Sequence, residues 1–145
     1  MQATADTARC LVEFLRFLTQ SGGNAFVQAV EDAGLSLTQL KAMHVLAAAD
    51  ENLSLNGLSK RLGGLSLPTL SRVVDALVQR GYVRRAEDSA DRRVKRLSLT
   101  AKGRRTIDRL LEIRVGEFET VLETLTDDER ERLARALEPI LERRA

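Results

Sequence analysis

The stretch Ser66-Leu67-Pro68-Thr69-Leu70-Ser71-Arg72-Val73-Val74-Asp75-Ala76-Leu77-Val78-Gln79-Arg80, closed by Gly81, decides how this chain is read. Leu70, Val73, Val74, Leu77 and Val78 recur at helical spacing and form one apolar stripe. Ser66 is placed to cap the helix, and Pro68 falls near its first turn, where a missing N–H costs nothing. Burial of the stripe leaves Pro68, Thr69, Ser71, Arg72, Asp75 and Gln79 facing outward. Those near the N-terminus are small, polar or cationic. A helix entering a DNA major groove needs that pattern, because bulky apolar groups would be stranded against the base edges. Arg72 can form a bidentate contact to guanine. Ser66, Thr69 and Ser71 can reach phosphate or base edges, and the helix N-terminus itself favours phosphate. An amphipathic helix that merely packs would show the same stripe, so the flanking segments have to discriminate.

Upstream, Leu53-Ser54-Leu55 alternates like a very short strand, and Asn56 to Leu62 reads as a short helix with Asn56 as its cap. Gly63-Gly64 ends it. Downstream, Tyr82 to Arg85 and Val94 to Leu99 read as two strands around a polar loop, residues 86–92. Arg84, Arg85, Arg92, Arg93, Lys95 and Arg96 there oppose Glu87, Asp88 and Asp91. Arginines at a loop tip can enter a minor groove, where narrow DNA concentrates negative potential. Two short helices joined by a glycine turn, then a basic hairpin, spell a winged helix-turn-helix. A merely solvated hairpin explains the charge but not its place directly after the helix pair.

Further out the chain is helical. Residues 7–33 carry Leu11, Phe14, Leu15, Leu18, Phe26, Val27 and Val30 at helical spacing, with a kink or break expected at Ser21-Gly22-Gly23 and a C-cap at Gly34. Ser36 to Ala49 is a second helix. Thr100 caps a long helix reaching about Thr124, and Thr126 with Glu129 forms a capping box for a last helix whose end Pro139 bends or frays. The fold class is therefore mainly α with a small β-hairpin wing. The helices near both ends have wide apolar faces and little within one chain to cover them. An isologous homodimer through the N- and C-terminal helices would do so.

The chain has 145 residues, with 23 Lys/Arg against 21 Asp/Glu, so its net charge of +2 says little. The distribution says more. Residues 56–105 hold 13 Lys/Arg and four acids, a net +9, which leaves −7 for the rest. A basic middle between acidic ends suits a phosphate-binding face, since each neutralised phosphate releases counterions. Cys10 alone excludes an intrachain disulfide framework and points to a reducing, cytoplasmic setting. The longest apolar run, Val45 to Ala49, is too short to span a bilayer, and no secretory signal is visible at the start. One histidine, His44, and one cysteine cannot build a His/Cys metal site, so neither metal nor cofactor is expected. Asp127-Asp128-Glu129 sits at a helix start, where acids favour the dipole, and Gly22-Gly23 and Gly63-Gly64 are too short for a phosphate-cradling loop. An enzyme is not expected.

At these residues the chain resembles the MarR family of bacterial transcriptional regulators. Leu53 to Leu62 is similar to the family's strand and first helix of the helix-turn-helix. Leu67 to Leu77, then Arg80-Gly81-Tyr82-Val83-Arg84-Arg85, is similar to its recognition helix and next strand. Asp91-Arg92-Arg93 matches the D-x-R wing motif, and Leu99-Thr100-Ala101-Lys102-Gly103 the L-T-x-x-G that follows. Gln39 to Leu46 resembles the segment opening the family's second helix, although Leu40 stands where an aromatic is frequent. The resemblance implies one MarR-like domain over 1–145, with dimerisation helices at 1–35 and 100–145 and a winged lobe at 36–99. It implies a homodimer on a pseudo-palindromic double-stranded operator, contacted by Ser66, Pro68, Thr69, Ser71, Arg72, Arg92, Arg93 and Lys95. Arg93 would enter the minor groove, positioned by Asp91. It also implies a repressor released by a small aromatic or anionic ligand, whose site residues the sequence leaves unknown. Peroxide-sensing members pair a first-helix cysteine with nearby tyrosines. Those are absent here, so Cys10 reads as buried or inert. A winged-helix interaction or architectural module without base readout is the alternative, and the polar, cationic Pro68 to Arg72 stretch speaks against it.

Overall fold

The computed structural model describes residues 2–21, 23–49, 51–88, 91 and 94–143. Among them the elements run α1 (Gln2–Ser21), α2 (Ala25–Asp32), α3 (Leu37–Ala47), β1 (Leu53–Ser54), α4 (Leu55–Arg61), α5 (Leu67–Gln79), β2 (Val83–Glu87), β3 (Lys95–Leu99), α6 (Ala101–Leu122) and α7 (Asp127–Glu142). The mainly helical winged helix-turn-helix architecture expected from the sequence is present. The chain divides into two compact units, Val27–Glu112 and Met1–Phe26 with Ile113–Ala145.

The 27–112 unit is built on the helix-turn-helix. Met43, Leu58, Leu70, Val74 and Leu77 are fully buried, so α3, α4 and α5 share one core. Burying each leucine or methionine contributes roughly 1.5–3 kcal/mol. The antiparallel sheet has the order β1-β3-β2. Val83 pairs with Leu99 and Arg85 with Leu97, while Leu53 of β1 faces Leu97 from the other side. Leu97 is thereby enclosed and 1% exposed. The helix after the sheet is fitted tightly to it. Thr100 donates its hydroxyl to the Gly81 carbonyl at 2.6 Å and its amide to the Tyr82 carbonyl at 3.0 Å. Gly103 comes so close that an added Cβ would lie 2.1 Å from the Tyr82 carbonyl oxygen. That approach explains why glycine follows Leu99-Thr100 at this spacing. Beneath the sheet, Arg80 donates to the carbonyls of Ala33 and Gly34, and the Tyr82 hydroxyl also donates to Ala33.

The other unit holds α1, α7 and the second half of α6. Glu117 is buried there at 7% exposure. Its carboxylate accepts the Phe26 N–H at 2.8 Å, satisfying one of the orphan donors at the start of α2. It also pairs with Arg114 at 3.2 Å, and that guanidinium lies 3.6 Å from the centre of the Phe26 ring. Thr126 and Glu129 form the expected capping box. The backbone N–H of Thr126, then its hydroxyl, hold the Glu129 carboxyl below its ordinary pKa.

Three expectations are corrected, on the start of α1, the cap of α4 and Cys10. Helix α1 begins at Gln2 rather than residue 7, because Gln2 to Ala5 contains no breaker and the Thr7 hydroxyl folds back onto the Ala3 carbonyl. Ser54, not Asn56, caps α4. Its hydroxyl accepts the Gly57 N–H at 3.1 Å, so Leu55 leaves the strand for the first helical turn. Helix α7 runs on through Pro139 to Glu142. Cys10 is exposed, not buried. No helix among the described residues is long and apolar enough to cross a membrane.

Candidate nucleic-acid interface

The start of α5 is held by a local hydrogen-bond cluster. The Ser66 hydroxyl shares a 2.8 Å bond with the Thr69 hydroxyl and also accepts the Thr69 N–H. Before it, Gly63 and Gly64 have φ of 82° and 87°, which a side chain would resist, and the Ser59 hydroxyl donates to the Leu65 carbonyl at 2.7 Å. The turn between α4 and α5 is therefore fixed by both ends. With Leu70, Val74 and Leu77 turned inward, Ser66, Pro68, Thr69 and Arg72 are exposed and Ser71 is half-buried. Leu67 also reaches solvent, at 42% exposure. Among the described residues Arg72 makes no ion pair, which leaves its guanidinium available to an external acceptor.

The hairpin is more internally compensated than its composition suggests. Lys95 pairs with Glu87 at 2.8 Å, Arg96 with Asp88, and Arg85 with Asp75 at 2.6 Å. Arg84 donates to the Ser98 hydroxyl at 2.9 Å. Lys95 and Glu87 are both about half exposed. Such a pair contributes roughly 0–1 kcal/mol and opens readily toward a phosphate. Asp91 lies in the turn: its N–H donates to Asp88 and its carbonyl accepts from Val94. Arg92 and Arg93 lie outside the described residues.

A family model described as the MarR family matches residues 33–94, which take in α3, β1, α4, α5, β2 and the hairpin loop. A MarR family protein from Bacillus stearothermophilus has the same fold with a TM-score of 0.77, at 25% identity over 98% of this chain and 95% of that one. The winged segment of the chain is thus similar to MarR-family proteins. The HTH-type transcriptional repressor YetL of Bacillus subtilis (strain 168) is 28% identical over 111 residues, 76% of this chain. The match spans 66% of YetL, just under two-thirds of its length. A mutant of S. aureus MepR bound to an oligodeoxyribonucleotide shares the fold with a TM-score of 0.68, at 21% identity over 93% of this chain and 98% of that one.

Of the MarR-pattern residues singled out from sequence, α5 brings Ser66, Pro68, Thr69, Ser71 and Arg72 to one end of one helix. Lys95 opens β3, paired with Glu87 at the end of the hairpin next to the loop that holds Asp91. Asp75, expected to face solvent, instead holds Arg85. No sequence signal marked that pair, because its members lie ten residues apart on different elements. Arg85 has acids closer in sequence at Glu87 and Asp88, but those serve Lys95 and Arg96.

Proposed function

We propose that this chain is a member of the MarR family and a sequence-specific double-stranded DNA-binding transcriptional regulator, a cytoplasmic repressor released by a small ligand. One observation carries the DNA-binding part. The first turns of α5 offer a capped N-terminus, two hydroxyls and an arginine with no ion pair among the described residues to solvent, while Leu70, Val74 and Leu77 on its other side are buried. This end suits the major groove, and the arginine-rich hairpin suits the minor groove beside it. The relatives named as a repressor and as bound to an oligodeoxyribonucleotide support the same reading. A binding protein, not an enzyme, is the consequence.

Dimerisation follows from what the terminal helices leave uncovered. In α1 only Leu18 is buried, while Leu11, Val12 and Leu15 are each more than half exposed. In α7, Ile140 and Leu141 are exposed to 52% and 60%. A second copy pairing these helices, within residues 1–35 and 100–145, would cover them and set two α5 helices about 34–36 Å apart on a pseudo-palindrome. The effector half of the reading is supported by a cavity of about 330 Å³ in the winged unit, where Lys102, Arg105 and Arg109 outnumber Asp32 and would attract an anion.

Titration of the protein against DNA from upstream of its own gene tests the reading. Binding should weaken steeply with salt, and Arg72→Ala or Arg93→Ala should weaken the specific complex roughly 10- to 100-fold. Variants that both bind like wild type would show that another surface reads the DNA. Equal affinity for every duplex would show an architectural module instead.

A further inference from the structure

The two parts of the candidate interface, α5 and the hairpin, are joined by a specific polar contact. Strand side chains alternate, so Val83, Arg85 and Glu87 of β2 share one face while Arg84 and Ala86 share the other. Val83 is 2% exposed, which marks its face as the one packed on the helices. Arg85 is the next residue on that face. Its guanidinium reaches Asp75 of α5 at 2.6 Å, and the other Asp75 oxygen lies 3.5 Å from the Ser71 hydroxyl. Among the described residues this is the salt bridge that ties α5 to the hairpin. Both groups are partly solvated, at 33% and 47% side-chain exposure. Such a pair contributes little to global stability. Its effect is on geometry. It fixes an arginine inward, cancels the one acid on α5, and sets the angle at which the hairpin leaves the recognition helix.

Resting on the DNA-binding reading above, we infer that Arg85 and Asp75 are a positioning pair for DNA readout: the bridge holds the wing in register with α5 so that both grooves are engaged together. Arg85 is then no phosphate anchor, although the sequence groups it with the hairpin cations. Asp75, an acid on a DNA-facing helix, favours specific binding instead of opposing it.

The test compares Arg85→Ala, Asp75→Ala and the charge swap Asp75→Arg/Arg85→Asp, each titrated against the specific duplex and a random one over a range of salt. Each single variant should lose about tenfold in specific affinity, the scale of one lost hydrogen bond to a charged group. Random-duplex affinity and the salt slope should stay near wild type, the thermal midpoint should barely move, and the swap should recover most of the lost specificity. If Arg85 anchors a phosphate instead, Arg85→Ala weakens both duplexes and cuts the salt slope by about one, Asp75→Ala leaves binding unchanged or tighter, and the swap rescues nothing. Those results would overturn the inference. Amide exchange of β2 and β3 in the DNA-free protein separates it from the function reading. Faster exchange in Asp75→Ala supports the strap even if wild type discriminates no duplex, and unchanged exchange refutes it.

Discussion

Two glycines in the same helix should respond to alanine with opposite sign. In α6, a Cβ on Gly103 would sit 2.1 Å from the Tyr82 carbonyl oxygen, 3.1 Å from its carbonyl carbon and 3.2 Å from a Leu99 methyl. The Tyr82 oxygen is backbone and already accepts the Thr100 N–H, so it cannot swing aside as a side chain would. Relief requires the first turn of α6 to draw back from β2 by roughly 1 Å, which also opens the Thr100 bond. Overpacking of this kind costs about 1–3 kcal/mol. The broken bond adds about 1 kcal/mol. Alanine's better helix propensity returns up to about 1 kcal/mol. Gly103→Ala should therefore destabilise by roughly 1–3 kcal/mol. At Gly116 an added Cβ meets nothing within 4 Å, and only the propensity gain remains. Gly116→Ala should stabilise by about 1 kcal/mol. Urea unfolding of both variants and wild type at one protein concentration measures the difference. Equal shifts, or a Gly103→Ala variant within about 0.5 kcal/mol of wild type, would refute the fitted contact between Tyr82 and α6.

The capping box gives a pH prediction. Glu129 has a lowered pKa in the folded state because its carboxylate accepts from Thr126. Its contribution is thus fully present above the ordinary glutamate range and lost as pH falls through the lowered folded value. The Thr126 amide resonance should titrate with a midpoint below that of an ordinary glutamate, and Glu129→Gln should remove the step; a midpoint at or above the ordinary value would contradict the box. The terminal helices give another prediction. Leu15 and Ile140 are 57% and 52% exposed, so aspartate at either should leave the chain folded, yet in a dimer it would bury a charge. Sedimentation should show Leu15→Asp and Ile140→Asp as folded monomers at micromolar concentration, and unchanged dimers would place the interface elsewhere.

The parts of the fold governed by local rules were legible in the sequence. The stripe of α5, the caps at Ser66 and Thr126, and the break near Ser21 follow from residue spacing and short-range hydrogen bonds, and the structure has each of them. The start of α4 was misread because Ser54 and Asn56 are both good caps and Leu53-Ser54-Leu55 alternates like a strand. Only the antiparallel pairing of Leu53 and Ser54 with β3 shows where the strand must stop. Pro139 lies within α7 close to its end, where one missing N–H removes a single bond. Contacts between distant residues were invisible. The buried Glu117 reaches across 91 positions to Phe26, and Arg80 across 46 to Gly34. In the candidate interface, spacing alone predicted which α5 side chains face away from the core, and Ser66, Pro68, Thr69 and Arg72 are exposed. Composition also grouped Arg84, Arg85 and Arg96 with the other hairpin cations, because it cannot tell an arginine held by a neighbouring side chain from one left for phosphate.

The surface that meets DNA can be tested by proximity. With Cys10→Ser removing the native thiol, single cysteines at Thr69 and, as a control on exposed α7, at Asp128 can each carry a short photo-crosslinker. On the upstream duplex, the Thr69→Cys protein should crosslink to bases at two positions one helical turn apart, and the Asp128→Cys protein should not crosslink. Crosslinks from position 128 with none from position 69 would contradict the assignment of α5 as the reading helix.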